Sequence, residues 1–189
     1  MNRLILFVIM SLSMFGSAYA QPKCHVDLDY CYNLGFSEKY VGRHYGRSAY
    51  KMGGNSLRIA TRYDISNKLS AGVGVGLDRY TETDFNTMPV FARLHYSPFE
   101  KGQNVYMFSD IGYALKVAQN YNPGFTGKIG FGYLLHITKH FGVNIKVAYD
   151  FKDFRKISTI SYDEENDKIT FYDSNSLRHS VSFGVGVTF

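Results

Sequence analysis

Six histidines, at positions 25, 44, 95, 136, 140 and 179, and two cysteines, at 24 and 31, are the side chains best suited to hold a metal or carry a nucleophilic step. The histidines do not form a tight ligand set, and two thiols cannot build the four-thiolate site of a structural zinc. Asp163, Glu165 and Asp167 have the alternating carboxylates of a calcium loop. Position six of such a loop needs a Gly for its sharp turn and position twelve a bidentate Glu. Here those positions are Lys168 and Ser174, so the run predicts a solvated acidic hairpin tip and no metal. Cys24 and Cys31 on a single strand would stand about 23 Å apart at ~3.3 Å per residue, too far to bridge. A disulfide requires the first strand to begin later, near Tyr32. No cofactor motif is present.

The elements that must position these residues are announced by composition. The 189 residues include 16 Tyr, 15 Phe and 18 Gly but no Trp, and 20% are charged. Such a chain is neither disordered nor collagen-like, and a mean hydropathy of −0.20 excludes a multi-helix membrane protein. Residues 1–20 read as a secretory signal peptide: Arg3, the apolar run from Leu4 to Met10, then a small-x-small site at Ala18-Tyr19-Ala20. That run is too short to span a bilayer, which takes roughly 20 apolar residues. Cleavage removes Arg3 and lowers the formal charge from +5 to +4. The domain is then residues 21–189.

Along that domain the hydrophobic period is two, eight times over. The strongest instance is the last: Val181, Phe183, Val185, Val187 and Phe189 alternate with Ser182, Gly184, Gly186 and Thr188. Connections alternate between short (66–68, 97–104, 138–140) and long (39–54, 81–87, 118–124, 154–177). An even strand number, with tight turns at one end and longer loops at the other, predicts an all-β fold. The expectation is an eight-stranded antiparallel up-and-down transmembrane β-barrel.

In a soluble barrel the apolar face points inward, whereas in a membrane barrel it points to lipid. The polar faces carry Asp29, Arg58, Arg62, Asp64, Asp78, Arg93, Asp110, Lys116, Lys128, Lys146, Asp150 and Lys152. They also carry Gly72, Gly74, Gly76, Gly130, Gly132, Gly184 and Gly186, which pack nothing on a solvated strand but make room inside a narrow lumen. Phe91, Arg93 and His95 on the next strand are expected to fill that room. Tyr30, Tyr63, Tyr96, Tyr133, Tyr149 and Phe189 share the outward parity, as interfacial aromatic girdles require.

These features resemble the small OmpA/OmpX-type outer-membrane β-barrel proteins, across the whole of residues 21–189. The resemblance implies residence in the outer membrane of a Gram-negative bacterium, with both termini periplasmic. It also implies contact with membrane lipid and lipopolysaccharide, and a terminal strand (Val181, Phe183, Val185, Val187, Phe189) read by the barrel-insertion machinery. It carries no catalytic motif, so the chain is expected not to be an enzyme, and that location excludes nucleic acid as a partner.

The lumen charges, with both signs at similar levels, read as a salt-bridged plug, since eight strands enclose little more than their own side chains. His95 and His136 are expected among them. The leading expectation is a structural or surface-interaction protein acting through loops 154–177 and 39–54. The first should form a hairpin extending beyond the membrane, and the second is basic (Lys39, Arg43, Arg47, Lys51) and suited to lipopolysaccharide phosphates. The alternatives are a narrow porin-like channel and a lipid-modifying enzyme using His179, which has outward parity near the outer end of the last strand.

Overall fold

The computed structural model describes residues 24–80, 85–99, 104–118, 121–138, 141–163 and 168–189. The signal segment, His140 and residues 164–167 of the acidic tip lie outside them. The described chain is built of β1 (Cys24–Tyr40), β2 (Arg43–Gly46), β3 (Gly53–Asp64), β4 (Leu69–Tyr80), β5 (Phe85–Tyr96), β6 (Val105–Leu115), β7 (Gly124–His136), β8 (Gly142–Asp163) and β9 (Lys168–Thr188).

From β3 onward each strand pairs antiparallel with the next, β1 pairs with β3, and β9 returns to pair with β1. The closing seam ends in a reciprocal backbone pair, Val26 N–H to the Phe189 carbonyl (3.0 Å) and Phe189 N–H to the Val26 carbonyl (2.9 Å). The short β2 folds back on the far end of β1, from Tyr40↔Arg43 to Ser37↔Gly46, and is not a stave. The barrel therefore has eight staves, as the alternation predicts. Closure leaves the staves without a free edge, a condition that any sheet spanning a bilayer must meet.

Burial alternates along every stave, inverted relative to a soluble protein. Val73 is 63% exposed and Ile111 67%, while Arg58 is 1% and Asp150 0% exposed. The glycines do what their parity requires. Gly74 stands opposite Phe91 across the β4–β5 pair, and a Cβ on Gly74 would lie 2.5 Å from the Phe91 ring. Gly132 receives the Tyr106 ring in the same way, at 2.2 Å from a Cβ placed there. Bulky aromatics thus fill a lumen that side chains on every strand would overcrowd.

Two regions expected as connections are partly strand. β8 and β9 run on as a continuous ladder to Asp163↔Lys168, broken by one irregularity between Phe154 and Ile157. The hairpin predicted within 154–177 is the prolongation of two staves. In 39–54, β1 extends to Tyr40 and β2 turns back beside it.

Both cysteines are free, Cys24 exposed and Cys31 buried. They share β1, the arrangement in which the spacing forbids a bridge. Cys31 points into the lumen at Gly184, where a Cβ would come 2.6 Å from its sulfur. Iodoacetamide is expected to add once to the folded protein, at Cys24, and twice after denaturation, read by intact mass. Double labelling of the folded form would show that β1 does not close against β9.

Candidate functional site: the charged lumen

Arg93, on β5, is the centre of the lumen. Its Nε and Nη2 donate to the two oxygens of Asp110 at 2.8 and 2.9 Å, a bidentate fork. Its Nη1 donates to Asp29 (2.9 Å) and Asp27 (3.2 Å) on β1. The same guanidinium lies over the Phe91 and Phe108 rings, at 5.4 and 5.8 Å from their centroids. One cation thereby ties β5 to β6 and across the lumen to β1.

The network extends towards both ends from there. Arg58 donates to Asp110 at 3.1 Å and approaches Asp150 (3.6 Å) and Asp78 (3.8 Å). Asp150 also meets Lys128 at 3.2 Å, and Lys146 meets Asp29 at 2.6 Å. Lys152 donates to Asp78, whose Oδ2 also accepts from the Thr87 hydroxyl. Towards the turn end, Arg62 donates to Asp27 (3.1 Å) and Ser70 (3.1 Å), and His95 stacks on Tyr106. Asp64 lies at that rim, half-exposed, with His25 at 2.9 Å.

Towards the loop end a second cluster closes the mouth. Arg178 donates to Glu38 at 2.8 Å, and Ser176 and Tyr50 donate to the same carboxylate. Arg178 lies over the Tyr80 and Phe154 rings, at 5.1 and 5.5 Å, and those rings pack edge-on at 5.1 Å. Burial, with the Glu38 carboxylate beside it, pushes the Tyr50 hydroxyl above the ordinary phenol range.

Among the described residues, the buried charges are seven cations (Arg58, Arg62, Arg93, Lys128, Lys146, Lys152, Arg178) and six carboxylates (Asp27, Asp29, Glu38, Asp78, Asp110, Asp150). Near-balance matters because each ion has left water, and only close pairing offsets that cost. Around Asp27, His95 and Lys146 the packing leaves a cavity of about 10 Å³, room for the centre of one water. The arrangement is chemically a closed plug of fixed ion pairs.

Nine of the ten residues expected to form the network, Asp29, Arg58, Arg62, Asp78, Arg93, Asp110, Lys128, Lys146 and Asp150, are brought together in the lumen. Lys116 is a correction: β6 ends at Leu115, and Lys116 is exposed one residue beyond it. His136 is another, exposed at the turn end of β7, where the lumen-facing parity opens to solvent. Asp27, Glu38 and Arg178 went unread. Asp27 and Arg178 share the inward parity of their strands, whereas Glu38 has the outward parity of β1 and is turned inward by the irregularity at Phe36. The predicted strand limits stopped short of them. Val181, Phe183, Val185 and Val187 lie on the outer face of β9, and Phe189, one residue past its end, lies against Phe141 at 5.3 Å. His179 also faces outward, hydrogen-bonded to the Tyr149 hydroxyl at 2.5 Å.

No protein-family model matches the chain, and no curated protein matches it. Among solved structures it is similar in shape to the outer membrane protein OprG from Pseudomonas aeruginosa (13% identity, TM-score 0.45, covering 88% of this chain and 96% of that one). It is also similar to Neisserial surface protein A (15%, 0.46, 88% and 97%) and to outer membrane protein AlkL in lipid bilayers (12%, 0.43, 86% and 90%).

Proposed function

We propose that this chain is an integral outer-membrane protein of a Gram-negative cell, exported by its first 20 residues and inserted through its terminal strand. Its barrel is a closed anchor. Its work is done at the cell surface by the β8–β9 hairpin and the β1–β2 turn, and it carries no catalytic step. The observation that supports this reading is the inverted burial. A band of exposed Val, Ile, Leu, Phe and Tyr encircles staves whose inward faces hold thirteen buried charges. Water gives such an outer surface no stabilisation, because contiguous apolar area of this extent is a surface seeking another apolar phase. Hydrocarbon gives it that phase, and the closed ladder satisfies the backbone there.

What supports the surface role is where pairing stops. β9 loses its β1 partner at Tyr40↔Ser176, and β8 makes its last backbone bond on the β7 side from Arg155 N–H to the Pro123 carbonyl, at 2.9 Å. Beyond those points the hairpin has two unpaired edges able to accept an extended partner strand.

Fractionation tests the location and conductance tests the closed lumen. The protein is expected in the outer-membrane fraction, migrating faster on gels unboiled than boiled. In planar bilayers it should give silent traces, with Arg58→Ala/Arg62→Ala as the comparison. Absence from that fraction overturns the reading, and steady conductance by the wild type replaces the plug with a pore.

A further inference from the structure

The outer face carries one polar cluster at the loop end of the seam between β1, β8 and β9. The β1–β9 register passes from Gly35↔Ser180 to Ser37↔His179, so Phe36 is an extra residue turned outward and exposed. Its ring lies 6.4 Å from the His179 ring and 6.5 Å from the Tyr149 ring, and those two stack at 5.9 Å. The Tyr149 hydroxyl and His179 Nδ1 share a hydrogen bond; in the tautomer where the hydroxyl donates, Nε2 carries the imidazole's own hydrogen. Phe151, opposite His179, leans away over Gly127, where a Cβ would meet its ring at 2.0 Å.

One step nearer the loops, Lys39 pairs with Leu177 on this same face, and His44 pairs with Lys39. Both are exposed. Asp153, opposite Leu177 on this face, is held by Arg155 at 2.6 Å and so does not compete for Lys39. An aromatic floor continuous with the apolar band is thus edged by an imidazole and a lysine at its loop end, where the membrane reading puts the headgroups of a bilayer.

We infer that Phe36, Tyr149, His179, Lys39 and His44 form a binding site for a lipid bearing a phosphomonoester headgroup. The acyl chains lie on the Phe36 and Tyr149 rings. The phosphate takes a charge-assisted hydrogen bond from Lys39 and one from His179 Nε2. The inference rests on the membrane reading above. Ionisable side chains on a lipid-facing surface are otherwise a cost, which a bound anion offsets.

The test uses the full barrel folded in maltoside micelles, with native mass spectrometry counting retained lipid. The probes are lipid A, dephosphorylated lipid A and inorganic phosphate. Lipid A alone is expected to be retained, and Lys39→Ala/His179→Ala to bind it at least about tenfold more weakly, the loss of two charge-assisted contacts. His179→Gln, which keeps a donor and touches nothing in the lumen, should fall between them. Heat-modifiable migration certifies that each variant is folded. Equal retention by the double variant, equal retention of the dephosphorylated lipid, or inorganic phosphate held as tightly as lipid A would each overturn the site. A protein found in the outer-membrane fraction but failing these tests loses the site alone. One missing from that fraction loses the reading beneath it.

Discussion

Arg93→Ala is expected to destabilise the folded barrel by about 3–5 kcal/mol, the cost of removing one partner from a buried ion network. Three carboxylates lose a donor at once: Asp110 its bidentate fork, and Asp29 and Asp27 one bond each. Residual pairing sets the scale. Asp110 retains Arg58 at 3.1 Å, Asp29 retains Lys146 at 2.6 Å, and Asp27 retains Arg62 at 3.1 Å. The loss should therefore fall towards the lower end of that range. The Phe91 and Phe108 faces that carry the guanidinium are left bare as well. Arg93→Lys separates charge from geometry, since a point charge cannot grip both Asp110 oxygens and should recover only part of the loss. Urea titration in vesicles, followed by the shift from fast to slow gel migration, reads both variants. Arg155→Ala is the control: its bond to Asp153 is as short, 2.6 Å, but the side chain is 43% exposed, and an exposed pair contributes little. A drop below about 1 kcal/mol for Arg93→Ala would show that the neighbouring cations replace it and that the network has no centre.

That centre was legible in the sequence only as a set of parities. Alternation placed Arg93, Asp110, Arg58 and Asp29 on inward faces, but a period of two gives no height along the barrel. Which cation meets which carboxylate depends on register across eight pairings and on contacts through the lumen, such as Arg93 to Asp27, 66 residues apart. The misses lie at strand ends for a related reason. Lys116 and His136 keep the inward parity but stand where the wall stops, so parity without a wall leaves them in solvent. Glu38 and Arg178 are the converse, inward residues lying between the expected strands and the expected loops 39–54 and 154–177. Staves of 22 and 21 residues carry the wall past the point where hydrophobic alternation ceases. Beyond the apolar band, pairing is maintained by backbone and by Arg178 clasping Glu38, which hydropathy does not register. Gly74 facing Phe91 was readable in advance because it is local to one hairpin.

Ile111→Arg separates a membrane wall from a soluble surface more sharply than any change in the lumen. Ile111 stands in the middle of β6, 67% exposed, in a row with Ala92 and Val73 on the outer face. On a water-soluble protein so exposed a position tolerates arginine within about 0.5 kcal/mol. At the midplane of a bilayer the same change costs about 2–4 kcal/mol, because the guanidinium must reach the interface or draw water inward. Phe171→Arg sharpens the contrast. Phe171 is 72% exposed on the same outward parity of β9, but eight residues past His179, roughly 26 Å of strand at ~3.3 Å per residue. It belongs to the hairpin above the band, where arginine meets water or headgroups and stability should be unchanged. Ile111→Ala removes the side chain without adding charge, and accounts for lost packing alone. In phosphatidylcholine vesicles the expected order of urea midpoints is wild type and Phe171→Arg together, Ile111→Ala slightly lower, Ile111→Arg well below. Equal midpoints for the two arginine variants would mean that the apolar face does not meet lipid, and the inverted burial would then need a protein partner around the whole barrel.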